Sequence, residues 1–232
     1  SNDYSGAAVD GGQRLAGLRQ RGMIAGDALP GYRAFIAETY GPKLAAIGFD
    51  PRAGVYEADN GDRQKLRADL VSLVAGEAED KALRARLATA ATAWLAGDKA
   101  ALDQAFFVDG LSAYLAAGGP AAVASLFDKA MGSDDTLFRD SALAALSGTG
   151  DTETGRWLLD HIDDQRMRVS DKINLVQVMA LEPETRDMTY DWSVRNYDIL
   201  VKGSGIFAAN RLPTVPGRYC SVEKALAVEA AY

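Results

Sequence analysis

Cysteine and histidine are nearly absent from the sequence, which holds one of each among 232 residues, Cys220 and His161. A single cysteine cannot form a disulfide within the chain, so cysteine usage does not reveal a redox compartment. One histidine and one cysteine supply neither a histidine pair nor a thiolate cluster for zinc. We therefore expect this chain to bind no metal and no other cofactor.

A catalytic triad or a Cys–His pair would have to use His161, which lies near the end of a predicted helix. The dipole favours a histidine in the last turn of a helix, and we interpret His161 in that way rather than as a base. Nothing selects one pair of carboxylates among the 32 acidic residues. We expect no catalytic residues, and a helical enzyme that uses unidentified acids is kept as a third hypothesis.

Positive charge is in short supply, because 25 Lys and Arg stand against 32 Asp and Glu and leave a net charge of −7. A nucleic-acid surface needs a basic face, so we expect no nucleic-acid partner. We find no apolar run that approaches the roughly 18 residues of a membrane helix, and no signal peptide at the start. These observations predict no membrane partner, and they leave the localisation unassigned.

The pattern of a β-strand, alternating β-branched residues between turn pairs, is almost missing, whereas alanine-rich helical periodicity runs through the chain. Helix-length apolar patterns cover residues 31–47, 62–75, 79–96, 105–117, 120–131, 134–147, 152–162, 171–181 and 184–202. Pro42 falls within the first pattern, where we expect a break or a kink. Ser133 and Asp151 are predicted N-caps.

Short connections make consecutive helices antiparallel neighbours, which pair as hairpins that start near residues 62, 105, 134 and 171. This spacing is typical of two-helix solenoid repeats. The last predicted helix, 184–202, is apolar on two arcs, which indicates neighbours on two sides. The sequence therefore predicts an all-α fold of antiparallel helix hairpins stacked as an α-α superhelix of the HEAT/ARM type. A helix in the core of an ordinary bundle is the alternative.

Three segments carry a family resemblance: LFRDSALAALSGTGDTETGRWLLDHI, MRVSDKINLVQVMALEPETRDMTYDWSVRNYDIL and RYCSVEKALAVEAAY. In this order they resemble the C-terminal helical domain of gluzincin zinc aminopeptidases, the group of aminopeptidase N, the puromycin-sensitive enzyme and the endoplasmic-reticulum peptide-trimming enzymes. The matching positions are Ala145 and Leu146, Trp157 to Leu159, Arg168 with Asp171, and Trp192 with Asn196. Upstream, LAAIGFDPRAG and QKLRADLVSLVAG are similar to the family's Leu-Gly-Trp/Phe turn and the Leu-Arg helix after it.

The resemblance implies a non-catalytic domain of a zinc aminopeptidase. In that family the zinc-binding His-Glu-x-x-His helix belongs to a preceding catalytic domain, so the cofactor would lie in the parent and outside this chain. The family's helical domain encloses the cavity above the zinc and gates the access of peptides whose N-terminal residues are removed. The implied partners are the preceding catalytic domain of the same polypeptide and peptide substrates.

The resemblance also assigns candidate site residues. Arg168 and Asp171 are the substrate-binding candidates, with an ion pair or a helix cap between them as the structural alternative. Trp157 and Trp192 are interpreted as packing anchors, because large aromatic side chains dominate cores. Asn196 is expected to hydrogen-bond a neighbouring helix or loop, since a buried amide without a partner is costly.

The predicted domain organisation has an N-terminal segment, residues 1–29, that we leave unassigned, followed by the helical domain over residues 30–232. Ser1-Asn2 is consistent with the scar of a cleaved tag, and the family's domain continues beyond the point where this chain stops. We therefore expect the chain to be truncated before its last helices. The alternative function, from another class, is a free-standing HEAT-like scaffold that binds a protein partner on its concave surface.

Overall fold

A computed structural model describes residues 4–201, together with residues 222, 223 and 226. In this part of the chain all regular structure is helical, which confirms the predicted all-α class. Residues 4–201 form ten α-helices, which are α1 (Tyr4–Gln20), α2 (Ala28–Ile47), α3 (Gly61–Val71), α4 (Lys81–Leu95), α5 (Phe107–Met131), α6 (Thr136–Ser147), α7 (Thr152–Asp160), α8 (Val169–Met179), α9 (Pro183–Arg195) and α10 (Tyr197–Val201). A π-helical turn, Ser72–Glu77, follows α3, and a 3₁₀ turn, Gln104–Phe106, precedes α5.

The chain divides into two compact units, residues 1–122 and residues 123–232. In the first unit α1 packs on α3 and on the π-helical turn, and α2 packs on both as well. In the second unit α6 packs on α7 and α8, α9 packs on α7 and α8, and α10 packs on α8 and α9.

Acidic and amide side chains set the start of several helices. Asn60, Asp80, Asp135 and Asp151 each occupy the N-cap and accept a hydrogen bond from the backbone N–H three residues later. Such a bond satisfies one of the free N–H groups in the first helical turn. The prediction of Asp151 is confirmed, whereas the prediction of Ser133 is wrong because Asp135, two residues on, is the cap of α6.

Helix α1 was missing from the sequence-based prediction, because four glycines within Tyr4–Gln20 lower its helix propensity. Two of them, Gly11 and Gly12, allow close packing instead. A Cβ on Gly12 would lie 2.8 Å from Leu73 Cδ1 and 2.9 Å from the ring of Tyr40. At the end of α1, Arg19 Nε donates to Glu77 at 2.7 Å, and the Tyr32 hydroxyl donates to the same carboxylate at 2.8 Å. These bonds attach α1 and α2 to the π-helical turn.

A buried arginine holds the connection between α2 and α3. The Arg67 side chain is 1 % exposed and pairs with Asp59 at 2.7 Å. Its guanidinium also donates to the carbonyls of Ile47 and Gly48 at the end of α2, and it lies 3.4 Å from the centroid of the Tyr56 ring. Arg67 thus satisfies carbonyls that the end of a helix leaves without partners.

Helix α5 contains a point that is not helical. Gly119 has φ 58° and ψ −150°, so helical structure stops there and resumes at Pro120. This agrees with the predicted separation of 105–117 from 120–131. By contrast, α2 runs through Pro42 without a break.

One helical stretch, Gln104–Met131, is long and apolar enough to cross a membrane by length and composition alone. This corrects the expectation that no segment reaches that length and composition. Core helices of soluble proteins pass the same test, and 44 % of the apolar window is buried inside the fold. The absence of a membrane partner stays a prediction.

The prediction of one continuous helix over residues 184–202 is wrong. Helix α9 ends at Arg195, and α10 starts at Tyr197. Asn196 between them is the C-cap of α9, with φ −119° and ψ 27°. Its side-chain amide donates to the Trp192 carbonyl at 2.9 Å. The hydrogen bond expected to reach a neighbouring helix or loop therefore stays within its own helix end.

Candidate functional site

A groove with a volume of about 530 Å³ lies along α6 and α8 in the second unit. This volume is within the range of small-ligand pockets, roughly 300–1,000 Å³. Aliphatic side chains from both helices and from the residues after α8 form its floor, and they are Leu143, Ala144, Leu175, Val178 and Leu181. The groove offers an apolar surface to a ligand.

Polar groups line the same groove. Asp140 and Asn174 are exposed, and Gln177 is half-buried. Ser147 is buried, and its hydroxyl donates to the Leu143 carbonyl at 2.6 Å. That hydroxyl is therefore engaged within its own helix, and the groove shows binding surface rather than an activated nucleophile.

A buried ion pair reaches the groove, because its Asp171 is one of the lining residues. Arg139 Nη2 and Asp171 Oδ2 are 2.7 Å apart, and each side chain is only 5 % exposed. Arg139 also donates to the Arg166 carbonyl at 2.6 Å, and Asp171 accepts the backbone N–H of Arg168 at 3.0 Å. The pair thereby fixes both the loop after α7 and the first turn of α8.

Arg168 is the N-cap residue of α8, and its side chain is exposed. Its guanidinium makes no ion pair with a described residue, because the expected partner, Asp171, is paired with Arg139. The ion pair expected between Arg168 and Asp171 is therefore not formed. The helix cap is present, because the backbone N–H of Arg168 donates to the Asp171 carboxylate. The structure thus separates the two substrate-binding candidates: Arg168 points to solvent and Asp171 is buried.

The predicted anchors differ in their surroundings. Trp157 is half-buried and meets Phe127 edge-to-face, with ring centroids 5.3 Å apart. His161 is the other ring neighbour of Trp157. The two rings stack with centroids 3.9 Å apart and 20° between their planes, and His161 Nδ1 lies 2.7 Å from the Trp157 carbonyl oxygen. Trp192 is half-buried in α9.

A second arginine organises the loop between α7 and α8. Arg166 pairs with Asp164 at 2.6 Å and with Asp128 at 3.0 Å. Hydrogen bonds from Arg166 lower the pKa of the Asp164 carboxyl to about 2, and they raise the pKa of the Arg166 guanidinium. Both groups stay charged at neutral pH, so protonation does not break this ion pair in the physiological range.

Sequence reasoning missed Arg139 and Asp140, which stand next to each other just before SALAALS in α6. The signal was available: Arg139 falls between Phe138 and Ala142 on the buried side of α6, where a cation needs a partner. The partner, Asp171, is 32 residues away in sequence, and periodicity does not reveal that separation.

No group of three or more His, Cys, Asp and Glu residues able to hold a metal occurs among the residues that the structure describes. A family model described as "ERAP1-like C-terminal domain" matches residues 12–232. The comparison with curated proteins gave no match.

Proposed function

Since the chain belongs to the ERAP1-like C-terminal domain family, we propose that it is the non-catalytic helical domain of a zinc aminopeptidase. In this proposal the domain encloses the active-site cavity and gates the access of peptides whose N-terminal residues are removed. The zinc is held by the preceding catalytic domain of the same polypeptide, which is the first partner, and peptide substrates are the second. The observation that carries the proposal is the family match over residues 12–232.

The packing of the second unit supports our further proposal that the helix hairpins stack as a superhelix. Each of α6, α7, α8 and α9 packs on its hairpin partner, and α6 with α8 and α7 with α9 pack across successive hairpins. In a solenoid every repeat buries its apolar faces on itself and on the next repeat in this way. We propose that stacked hairpins of this kind form the wall of the cavity.

Arg168 is the residue that we propose for peptide contact. Its backbone is held by Asp171, whereas its exposed guanidinium is not engaged in an ion pair with a described residue. An arginine and a peptide carboxylate form a charge-assisted bidentate pair worth about 1.5–3 kcal/mol when partly desolvated. Asp171 contributes to substrate binding by positioning Arg168, since its own carboxylate is buried against Arg139.

The test uses the full-length polypeptide and a ladder of peptides that differ only in length. Arg168→Ala should lower kcat/KM about tenfold for peptides long enough to reach it, and leave single-residue amide substrates unchanged. Arg156→Ala, another exposed arginine in the same unit, is the matched control and should change neither. An equal loss at every length would mean that Arg168 is structural.

The parent reading frame distinguishes this proposal from the scaffold alternative. A His-Glu-x-x-His segment encoded a few hundred residues upstream is expected for an aminopeptidase. A reading frame that starts just before Asp3 would contradict the proposal and favour a free-standing scaffold.

A further inference from the structure

Among the residues that the structure describes, the charges that line the α6/α8 groove are all of one sign. Asp140 and Asp171 are the charged members of this described lining, and both are acidic. Asp171 is neutralised by Arg139, whereas Asp140 is exposed and makes no ion pair with a described residue. One carboxylate is therefore left at the groove without a counter-charge from the part of the chain that the structure describes.

Two arginines that bond residues of the groove lining are themselves buried. Arg139 is buried on Asp171 and on the Arg166 carbonyl. Arg186 is buried too, and its guanidinium donates to the carbonyls of Ala180 and Leu181 just after α8. Neither guanidinium is available to a ligand that enters the groove.

The last turns of α6 and α8 also contribute to the groove, through Ser147 and Val178. The C-terminal end of a helix carries partial negative charge that is confined to the last turn, so these two helix ends give their end of the groove a negative potential as well. At the rim, Asn174 and Gln177 can accept N–H donors through their amide oxygens. The apolar floor fits an aliphatic stem, and the rim fits a cationic end.

We infer that this groove binds a peptide through a lysine or arginine side chain, whose methylene stem lies on Ala144 and Val178 and whose cationic end meets Asp140. Long basic side chains pair apolar stems with charged tips in this way. A glutamate in the same place would bring its charge against Asp140. The inference concerns a site that Arg168 does not line, and it holds whether or not the chain serves an aminopeptidase.

The probe is a fluorescein-labelled peptide, Ala-Leu-X-Leu-Ala-Ala, with blocked termini and with arginine, norleucine or glutamate at X. The amidated end offers no carboxylate to Arg168, so the result is separate from that of the proposed function. Norleucine keeps the stem and removes the charge. Fluorescence anisotropy with the full 232-residue chain should show the arginine peptide binding about three- to fivefold tighter than the norleucine peptide, the size expected for a partly exposed ion pair.

Two variants locate the contact. Asp140→Asn should abolish the preference for arginine over norleucine, whereas Asp160→Asn, an exposed aspartate of α7 outside the groove, should keep it. Ala144→Trp fills the floor and should weaken all three peptides, with the far-ultraviolet circular dichroism unchanged. Carbodiimide coupling of a lysine peptide, followed by mass spectrometry, should place the cross-link on Asp140.

Three results would overturn the inference. The first is equal affinity for the arginine and norleucine peptides, and the second is a preference for arginine over norleucine that survives Asp140→Asn. The third is no measurable binding of any peptide at a millimolar concentration of the chain.

Discussion

Arg139 and Asp171 meet with 2.7 Å between Nη2 and Oδ2, although each side chain is only 5 % exposed. A charge so deeply buried is stable only while its partner is present, because desolvation of a lone ion costs several kcal/mol. The pair links α6 to α8 directly, and through Arg166 and Arg168 it also holds the loop between α7 and α8.

We expect Asp171→Asn to lower the free energy of unfolding by about 3–5 kcal/mol, because it leaves Arg139 buried and charged. Urea unfolding followed by circular dichroism measures this change. Asp163→Asn removes the surface pair with Lys172, whose Asp163 side chain is 67 % exposed, and should cost at most about 1 kcal/mol. The double variant Arg139→Met with Asp171→Leu should recover much of the loss, and a double variant as unstable as Asp171→Asn would contradict this account.

Arg67→Lys should destabilise the first unit by about 2–3 kcal/mol. A lysine gathers its three N–H donors on one nitrogen and cannot match the guanidinium fork that spans Ile47, Gly48 and Asp59, and it loses the stack on Tyr56. Arg63→Lys is the matched control, because Arg63 faces the same Asp59 at 3.5 Å with a side chain that is 52 % exposed. Similar unfolding midpoints for the two variants would show that the buried guanidinium is dispensable.

The stability of the first unit should depend on Asp109. Burial raises the pKa of this carboxyl to about 6, against the opposing hydrogen bond from the Ser72 hydroxyl. The folded chain therefore binds the proton of the Asp109 carboxyl more tightly than the unfolded chain does. The contribution of protonated Asp109 to the free energy of unfolding is complete below about pH 4 and is lost as the pH rises through about 6.

Asp109→Asn should accordingly stabilise the chain by about 1–2 kcal/mol at pH 8 and have little effect at pH 4. Urea unfolding at both pH values measures the difference. Glu38→Gln, an exposed acid of α2, should produce no such pH-dependent gain. An equal effect of Asp109→Asn at the two pH values would contradict the predicted titration.

Glycines in α1 should respond in opposite directions to alanine. Gly12→Ala places a Cβ against Leu73 and Tyr40, and it should destabilise by about 1–3 kcal/mol. Gly17→Ala meets nothing within 4 Å and should stabilise by about 0.5–1 kcal/mol through helix propensity. Thermal unfolding of the two variants checks the pair, and stabilisation by Gly12→Ala would mean that α1 does not approach α2 so closely.

The isolated chain should bind no zinc stoichiometrically and should not cleave aminoacyl chromogenic substrates, since one histidine and one cysteine do not form a ligand set. Metal analysis and an assay with and without chelator measure both. One tightly held zinc per chain, with turnover that a chelator abolishes, would overturn the non-catalytic assignment.

Much of the fold could be predicted because periodicity reports on neighbours within one helix. Helices α6, α7 and α8 lie within a few residues of their predicted bounds, since each carries an apolar stripe and a turn signal at its ends. Helix α1 was missed because its glycines lower helix propensity, and two of them, Gly11 and Gly12, lie against Tyr40, which is a tertiary effect. The break at Asn196 was missed because an asparagine C-cap with apolar residues on both sides leaves the periodicity intact.

Less of the candidate site than of the fold could be predicted from the sequence. The sequence indicates Arg168 and Asp171 as a pair. In the structure Asp171 instead pairs with Arg139, which belongs to another helix. The groove likewise depends on how α6 and α8 face each other, and no local pattern in either helix encodes its depth.

The contact between His161 and Trp157 gives the second unit its own spectroscopic signature. The imidazole lies nearly parallel to the indole at 3.9 Å, so ring currents should shift its carbon-bound protons upfield while the unit is folded. Because the chain has no other histidine, those resonances need no assignment by mutagenesis. Trp94, under the Lys99 ammonium at 3.3 Å, belongs to the first unit and sits in a different electrostatic environment. Each half of the molecule thus carries a native label, and the order in which the halves melt can be followed without introducing a dye.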